Sequence, residues 1–243
     1  MSHRSLRRGF VLHRRDYRNT SLLLEVFSAE AGRLAIVAKG AKTAARGRSP
    51  AALLLQPFQP LWLGWSGRGE VKTLTAAEAA GPALALAGER LYCGLYLNEL
   101  MLRLIERDDP HEALFVFYQQ ALGDLVAAPI EPVLRRFELR LLEELGYAPD
   151  LTRDAQGAPL ARGRWYRFEP QSGLIAQPAG VADAAPDTPG VTVSGALLAR
   201  LTAGAALTAA DARAARDLMR AALAPHLGPK PLKSRALFRR RTS

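Results

Sequence analysis

A regular alternation of short apolar runs and turn-forming residues near the start of the chain constrains the fold most. Residues 9–40 contain three such runs, at 10–12, 22–27 and 34–38. In the second run every other residue is Leu or Val, so one face of an extended chain there is uniformly apolar. Short runs of this kind, separated by turns, predict antiparallel β-strands rather than helices.

The chain continues with a basic loop and further apolar runs. The loop at 39–50 holds four cations and no acidic residue, apolar runs follow at 52–58 and 61–65, and a last strand is predicted at 70–75. About five strands in about eighty residues match the size of an OB-type barrel. A small barrel with a basic loop on its rim is a recurrent way to hold single-stranded nucleic acid.

Beyond residue 80 the apolar period changes from two to about 3.6, which indicates helices. The fold class that we predict is α+β and multidomain: an N-terminal OB-type β-barrel, followed by an α-helical domain with a small irregular β lobe. We place the barrel at 1–80, the helical domain at 81–243, the lobe at 150–190 and a basic tail at 228–243. The predicted helices span 91–105, 113–126, 131–145, 194–201 and 208–227, and a weak hairpin spans 165–176.

The positive charge of the chain is concentrated at its two ends. Of the net charge of +10, residues 1–80 carry +8 and residues 226–243 carry +6, which leaves the middle at −4. Basic patches attract polyanions, and nucleic acid is the commonest such partner. A merely solubilising surface would not explain this segregation.

No catalytic or metal-binding pattern stands out. The four histidines are scattered, no phosphate-binding loop or nucleophile elbow is present, and Cys93 is the only cysteine. We therefore expect no enzyme activity, cofactor or metal. We expect no signal peptide or membrane span either, since the first residues are basic and the most apolar helix is short and charged.

Two sets of residues are candidates for binding. Tyr17 and Trp65 lie at predicted turns, where bases could stack on their rings. The predicted phosphate contacts are Arg14, Arg15, Arg33, Lys39, Lys42, Arg46, Arg48, Lys72, Lys230, Lys233 and Arg235. In the tail, Leu232 and Leu237 are expected to pack on the protein while the charges face a polyanion.

Three arginines on the third helix have two interpretations. Arg135, Arg136 and Arg140 lie off its apolar stripe, where they could pair with Glu143 and Glu144 at helical spacing. They could instead form an anion-recognition edge beside an apolar groove. The residues alone favour simple surface pairing.

Several blocks in a fixed order make the chain resemble a known family, the RecO family of bacterial DNA repair and recombination mediators. The similarity runs over almost the full length. It is carried by Gly9–His13, Thr20–Leu24, Val37–Ala41, Leu55–Phe58, Gly67–Leu74, Leu95–Leu100, Leu134–Glu138 and Lys230–Arg235.

The resemblance implies binding to single- and double-stranded DNA and annealing of complementary strands. It implies work with RecR to help load RecA onto strands coated by single-stranded-DNA-binding protein, in the bacterial cytoplasm at the nucleoid. It also implies that the acidic, Phe-ended tail of the coating protein docks on the helical domain. The block 134–138 matches the family segment at that pocket, so Arg135 and Arg136 become expected carboxylate contacts, beside a slot between helices 91–105 and 134–145.

The chain departs from some members of the family in one respect. Some members carry a four-cysteine zinc module, but residues 150–173 contain no cysteine, so we expect the lobe to be held by packing alone.

Two other functions are rivals to DNA annealing. The first rival is an OB-fold scaffold that bridges partners without annealing. The second is an enzyme such as a nuclease, which the lack of clustered carboxylates disfavours.

Overall fold

The computed structural model of the chain describes residues 6–43, 50–178 and 190–239. By its internal contacts the chain divides into two compact units. The first comprises Met1–Ala127 together with Pro231–Ser243, and the second comprises Ala128–Lys230. The boundary predicted near residue 80 therefore lies inside the first unit, after the last strand of its barrel.

The first unit begins with a closed barrel whose strands are ordered β1-β2-β3-β5-β4. Adjacent strands pair antiparallel except for β3 and β5, which run parallel, and β1 closes the barrel on β4. This barrel, with helices and a small separate sheet after it, confirms the predicted fold class. The strands are β1 (Arg7–Tyr17), β2 (Ser21–Ser28), β3 (Gly32–Ala38), β4 (Leu61–Ser66) and β5 (Val71–Ala79).

The apolar run at 52–58 does not extend the meander as a strand. Ala51–Leu53 forms a short 3-10 helix, and the chain then turns with Leu55 and Phe58 buried. This segment contributes Leu55 to the barrel core and does not add a strand. Its apolar character therefore reflects burial in the core, where the inward side chains of β2 and β3 also lie.

Two helices of the first unit pack on the outside of β1 and β2. They are α1 (Glu89–Leu104) and α2 (Glu112–Ala127). A buried chain of hydrogen bonds joins them to the barrel: the Tyr118 hydroxyl donates to Asn98 Oδ1 at 2.6 Å, and Asn98 Nδ2 donates to the Leu12 carbonyl at 2.8 Å. Burial raises the pKa of the Tyr118 hydroxyl, so it remains a donor. This network fixes the registration of the helices on the strand that leads to the β1–β2 turn.

The C-terminal segment belongs to the first unit and is hydrogen-bonded to the ion pair of Glu99 and Arg103 on α1. Glu99 accepts from the backbone N–H groups of Lys233 and Ser234 at 2.8 Å each, and from the Ser234 hydroxyl at 2.7 Å. Arg103 pairs with Glu99 at 2.9 Å and donates to the Pro231 carbonyl at 2.7 Å. Glu99 thus accepts hydrogen bonds from the segment, and Arg103 donates one to it.

Packing completes the attachment of this segment. Leu232 is buried, as expected, and Leu237 is half-buried. Ser234 begins a short helix, α6 (Ser234–Arg239), which sequence periodicity did not reveal.

The second unit is helical with a small sheet. Its sheet has the order β7-β6-β8, in which β6 and β7 form the predicted hairpin and β8 was not predicted. No helix in the described ranges is both long and apolar enough to cross a membrane. Its elements are α3 (Ile130–Glu144), β6 (Trp165–Glu169), β7 (Gly173–Ala176), β8 (Val191–Ser194), α4 (Gly195–Ala203) and α5 (Ala209–Leu227).

The lobe that lacks zinc cysteines is held by hydrogen bonds as well as packing. Tyr166 and Phe168 are buried on one face of the sheet. Before the sheet, the Asp154 carboxylate accepts from the backbone N–H groups of Gln156 and Ala158 at 3.0 and 2.9 Å. A carboxylate therefore organises a turn here, so the expectation of packing alone was incomplete.

Candidate nucleic-acid interface and arginine pocket

A cleft of about 510 Å³ lies where the β1–β2 turn meets the end of β3. We call it the turn cleft. Its walls combine an aromatic ring, two cations and several small polar groups, and none of the described residues that line it is acidic. Such a lining suits a nucleotide, which presents both a flat base and an anionic phosphate. The lining residues are Tyr17, Arg18, Asn19, Thr20, Ser21, Val37, Lys39 and Gly40.

The turn itself sets the geometry of the aromatic ring. Tyr17 is the last residue of β1 and its side chain is exposed. Arg18 adopts a left-handed backbone conformation, with φ of 54°, and its guanidinium lies 5.3 Å from the centre of the Tyr17 ring. Arg18 is not among the binding residues predicted from the sequence, because a positive φ at arginine cannot be read from residue type.

The predicted basic contacts divide into two groups. In the first group the cations are accessible. Arg15 is exposed on β1, Lys39 is exposed at the turn cleft, and Lys42 is exposed while pairing with Asp16 at 2.9 Å. Lys42 therefore already has an acidic partner within the protein. Arg46 and Arg48 lie outside the described residues.

In the second group the cations are engaged inside the protein. Arg14 donates to the Ala52 carbonyl at 2.7 Å, and so ties the 3-10 segment to β1. Arg33 donates to the Ile105 carbonyl at 2.8 Å and pairs with Glu25 at 3.2 Å.

Lys72 belongs to the same group. Its ammonium donates to the Gly69 carbonyl at 2.9 Å and lies 3.6 Å from Asp108, with only 14% of the side chain exposed. As DNA contacts Arg14, Arg33 and Lys72 stay predictions, but each already has a role in holding the first unit together.

The remaining sequence candidates are the second aromatic residue and the tail. Trp65 is half-buried, packs against the barrel core, and has the Arg7 guanidinium 5.1 Å above its ring. Lys230 and Lys233 are exposed and Arg235 is half-buried. Their DNA contacts also stay predictions.

On α3, Arg135 is buried rather than presented to solvent. Its side chain is 5% exposed and donates to Glu138 at 2.8 Å, and Glu138 is 1% exposed. Glu131 lies 4.0 Å from the same guanidinium. The other two arginines of the predicted cluster, Arg136 and Arg140, are both exposed, and Arg140 pairs with Glu143 at 2.6 Å. The cluster is thus split between a buried and an exposed environment.

A narrow pocket in the second unit brings arginines and apolar side chains together. We call it the arginine pocket, and its cavity volume is about 30 Å³. It is walled by α3, α4, the turn after α4, and α5. The slot predicted between helices 91–105 and 134–145 combines elements of the two different units, whereas this pocket lies within one. Its lining residues are Pro132, Arg135, Arg136, Leu139, Leu151, Arg200, Leu201, Gly204, Ala205, Leu207 and Met219.

Arg200 is the member of this pocket that sequence reasoning missed. It is on α4 and pairs with Asp211 at 2.7 Å. Asp211 in turn accepts from the backbone N–H and the hydroxyl of Thr208, at 3.0 and 2.7 Å, and completes the capping box of α5. Burial alone would raise the pKa of Asp211, but these hydrogen bonds and the charge of Arg200 hold it below its ordinary value. No sequence pattern predicted this position in the pocket, because Arg200 is far along the chain from the arginines of α3.

The described residues do not assemble a metal site. Across residues 6–43, 50–178 and 190–239, no three His, Cys, Asp or Glu side chains lie close enough to hold an ion together. What these residues do contain is an aromatic ring beside cations at the turn cleft in one unit, and arginines beside apolar side chains at the arginine pocket in the other.

A closed five-stranded barrel with this cleft, followed by a helical region, defines an OB-type protein with a helical extension. Two family models match the chain: Recombination protein O N terminal over residues 1–83, and Recombination protein O C terminal over residues 86–236. The chain belongs to the RecO family, as its sequence blocks predicted.

Similar curated proteins cover nearly the whole chain. DNA repair protein RecO of Nitrosococcus oceani is 46% identical over 235 residues, which is 96% of this chain and 92% of the relative. DNA repair protein RecO of Nitrosospira multiformis is 45% identical over 233 residues, with coverage of 95% and 93%. DNA repair protein RecO of Pseudoalteromonas atlantica is 43% identical over 236 residues, with coverage of 95% and 92%.

Proposed function

We propose that this chain is a non-enzymatic DNA-binding mediator of DNA repair. It binds single- and double-stranded DNA, anneals complementary strands and, with RecR, helps load RecA onto strands coated by single-stranded-DNA-binding protein, in the cytoplasm at the nucleoid. Membership of the RecO family supports the broad role. The observation that carries the DNA-binding part is the turn cleft, where Tyr17, Arg18 and Lys39 meet without an acidic neighbour in the lining.

The turn cleft suits an unpaired strand for a physical reason. A base can stack on the exposed Tyr17 ring only if it is not already stacked in a duplex. Arg18 and Lys39 would neutralise the adjoining phosphates, and each contact releases counterions from the strand. A strand whose charge is partly neutralised repels its complement less, which favours annealing.

The arginine pocket supports the second part of the proposal, docking of the acidic tail of the coating protein. Arg136 and Arg200 are on its rim, and leucines such as Leu139 and Leu201 form its floor. A peptide that ends in an aromatic residue with a free carboxylate matches that combination of charge and apolar surface. Docking there would bring the annealing protein to coated strands.

Strand annealing with and without the coating protein tests this proposal. The variant Tyr17→Ala, Arg18→Ala, Lys39→Ala should anneal naked strands much more slowly than the wild type. A control matched for charge, Arg213→Ala, Arg220→Ala, changes exposed arginines of α5 outside the arginine pocket and should anneal normally.

The rival functions give different results in the same assay. A wild type that binds both strands without annealing them would support the scaffold alternative. Strand cleavage that needs a divalent cation would support a nuclease. Annealing that persists in a chelator, without cleavage, is the outcome expected here.

A further inference from the structure

We propose that Arg200, rather than Arg135, is the residue of the arginine pocket that binds the terminal carboxylate of an acidic peptide. The inference rests on the proposed docking of such a peptide and assigns the residue that would recognise it. Resemblance and spacing both pointed to the arginines of α3. The contacts in the second unit point instead to an arginine of α4.

Arg135 is unsuited to meet a ligand because it is almost fully buried together with its acidic partner, whereas Arg200, although also paired, is 42% exposed. The Arg135 guanidinium donates to Glu138 at 2.8 Å, and both side chains are almost fully buried. Turning Arg135 toward a peptide would leave the Glu138 carboxylate in the interior without this partner. A buried charge that loses its partner is strongly unfavourable.

Arg200 is accessible and yet held in place. Its side chain is 42% exposed, and Asp211 binds one of its terminal nitrogens, Nη1, at 2.7 Å. Asp211 is itself held by Thr208 in the capping box of α5, so it cannot easily move when a ligand binds. Guanidinium has five N–H donors in a rigid fork, so a fixed contact with Asp211 leaves others for a carboxylate. Fixing the side chain beforehand reduces the conformational entropy lost on binding.

The apolar part of the pocket defines the rest of the ligand. Leu201 and Leu207 lie beside Arg200 in the lining, with Leu139, Leu151 and Met219. An aromatic ring is larger than the cavity of about 30 Å³, so it would rest across these side chains with its carboxylate toward Arg200. Arg136 is exposed on the same rim and could meet an acidic residue upstream.

The test uses the full-length protein and two short acidic peptides that end in Phe, one with a free C-terminal carboxylate and one amidated. Fluorescence anisotropy gives the dissociation constants. Arg200→Ala should weaken binding of the free-acid peptide about tenfold or more, as expected for a lost charged hydrogen bond. Arg200→Lys, which keeps the charge but not the fork, should lose less. The matched control is Arg220→Ala, an exposed arginine that pairs with Asp217 three residues earlier and does not line the pocket.

A double-mutant cycle separates carboxylate binding from a structural role. Amidation should weaken binding to the wild type by a similar factor, and amidation combined with Arg200→Ala should cost little more than either change alone. Fully additive losses would overturn the assignment of Arg200 to the carboxylate. Equal binding of the free-acid peptide by wild type and Arg200→Ala would overturn it as well, while leaving the docking proposal intact.

The remaining outcomes concern docking itself and folding. If the wild type binds neither peptide, the proposed docking fails and the assignment with it. Thermal unfolding of Arg200→Ala shows whether the variant is folded. Should it be unfolded, the Arg200→Lys variant and the amidated peptide on the wild type still decide the question, since equal affinity in both comparisons would overturn the assignment.

Discussion

The barrel unit and the helical unit use their arginines in two parallel ways. In the barrel unit Arg33 is engaged by Glu25 and the Ile105 carbonyl, whereas Arg18 stands at the turn cleft. In the helical unit Arg135 is engaged by the buried Glu138, whereas Arg200 stands at the rim of a pocket. Each unit therefore contains cations that hold the fold and cations that line a surface cleft or pocket.

Arg135 differs from the arginines of the barrel in where its holding partner comes from. Arg135 finds its partner three residues away on the same helix. Arg33 and Arg14 find theirs at Ile105 and Ala52, far along the chain. Helical spacing can suggest the first kind of pairing, but only the folded barrel brings the second kind together. A basic segment is therefore a better guide to overall charge than to which cations contact a ligand.

The largest effect should come from removing a holding arginine in the helical unit. Arg135→Ala leaves Glu138 buried without its 2.8 Å partner, which should cost about 3–5 kcal/mol of unfolding free energy. Thermal or denaturant unfolding measures this. Replacing both residues by apolar ones, as in Arg135→Met, Glu138→Leu, should restore much of the loss, because no buried charge then lacks a partner.

A matched control sharpens this prediction. Arg140→Ala removes an exposed arginine of the same helix, 49% exposed, that also pairs three residues ahead. Such a pair contributes little, about 0–1 kcal/mol. If Arg135→Ala were as stable as Arg140→Ala, burial would not distinguish the two arginines, and the comparison between holding and ligand-facing residues would break.

In the barrel unit, the holding residue with the largest expected effect is an acid, Glu99. Glu99→Ala removes three hydrogen bonds to the C-terminal segment and should lower stability by about 1.5–3 kcal/mol. The segment should also become sensitive to limited proteolysis. Glu106→Ala, which changes an exposed acid just after α1, is the control and should leave proteolysis unchanged.

The attachment made by Glu99 should depend on pH. Burial alone would raise the pKa of Glu99, but hydrogen bonds from Ser234 and Lys233 and the charge of Arg103 hold it below its ordinary value of 4.5. A carboxylate whose pKa is lowered by folding adds stability above pH 4.5 and loses it as the pH falls through the folded value. Protection of the segment should therefore decrease on acidification in the wild type. A pH-independent digestion pattern would contradict this role.

Much of this architecture followed from the sequence, because local patterns determine it. The strand alternation, the helical periods and the Thr208–Asp211 capping box all lie within a few residues of their partners. The β3–β5 parallel pairing, strand β8 and helix α6 depend on distant partners instead. For α6 the decisive contact is with Glu99, on a helix more than a hundred residues earlier in the chain.

The candidate sites divide in the same way. Tyr17 and Lys39 were predicted from turn position and loop charge, and both line the turn cleft. Arg200 was missed because only packing of α4 beside α3 and α5 brings it to the arginine pocket. Burial of Arg135 was also invisible, since an arginine beside a helical stripe looks like a surface residue until neighbouring elements cover it.

The next prediction concerns the aromatic ring of the turn cleft. Tyr17→Ala should reduce the affinity for single-stranded DNA by about 1–3 kcal/mol, through loss of stacking, and change binding of duplex DNA less. The control is Tyr17→Phe, which keeps the aromatic ring and should bind both kinds of DNA nearly as well as the wild type. Equal losses on single-stranded and duplex DNA would indicate that Tyr17 does not stack on bases.

The smallest expected effect is also the most direct test of the comparison, because it sets two lysines of the barrel unit against each other. Lys39 is exposed at the turn cleft, whereas Lys72 is engaged by the Gly69 carbonyl and by Asp108. A lysine that contacts a phosphate releases a counterion when DNA binds, so Lys39→Ala should reduce the slope of log affinity against log salt by about 0.7 for a single strand. Lys72→Ala removes the same charge but should change the slope less, because its ammonium is already bound within the protein, and it should lower stability slightly. Titrations with one oligonucleotide at several salt concentrations measure both slopes. If Lys72→Ala changed the slope and Lys39→Ala did not, DNA would contact the surface around Lys72. A cation with an internal hydrogen bond could then still bind phosphate.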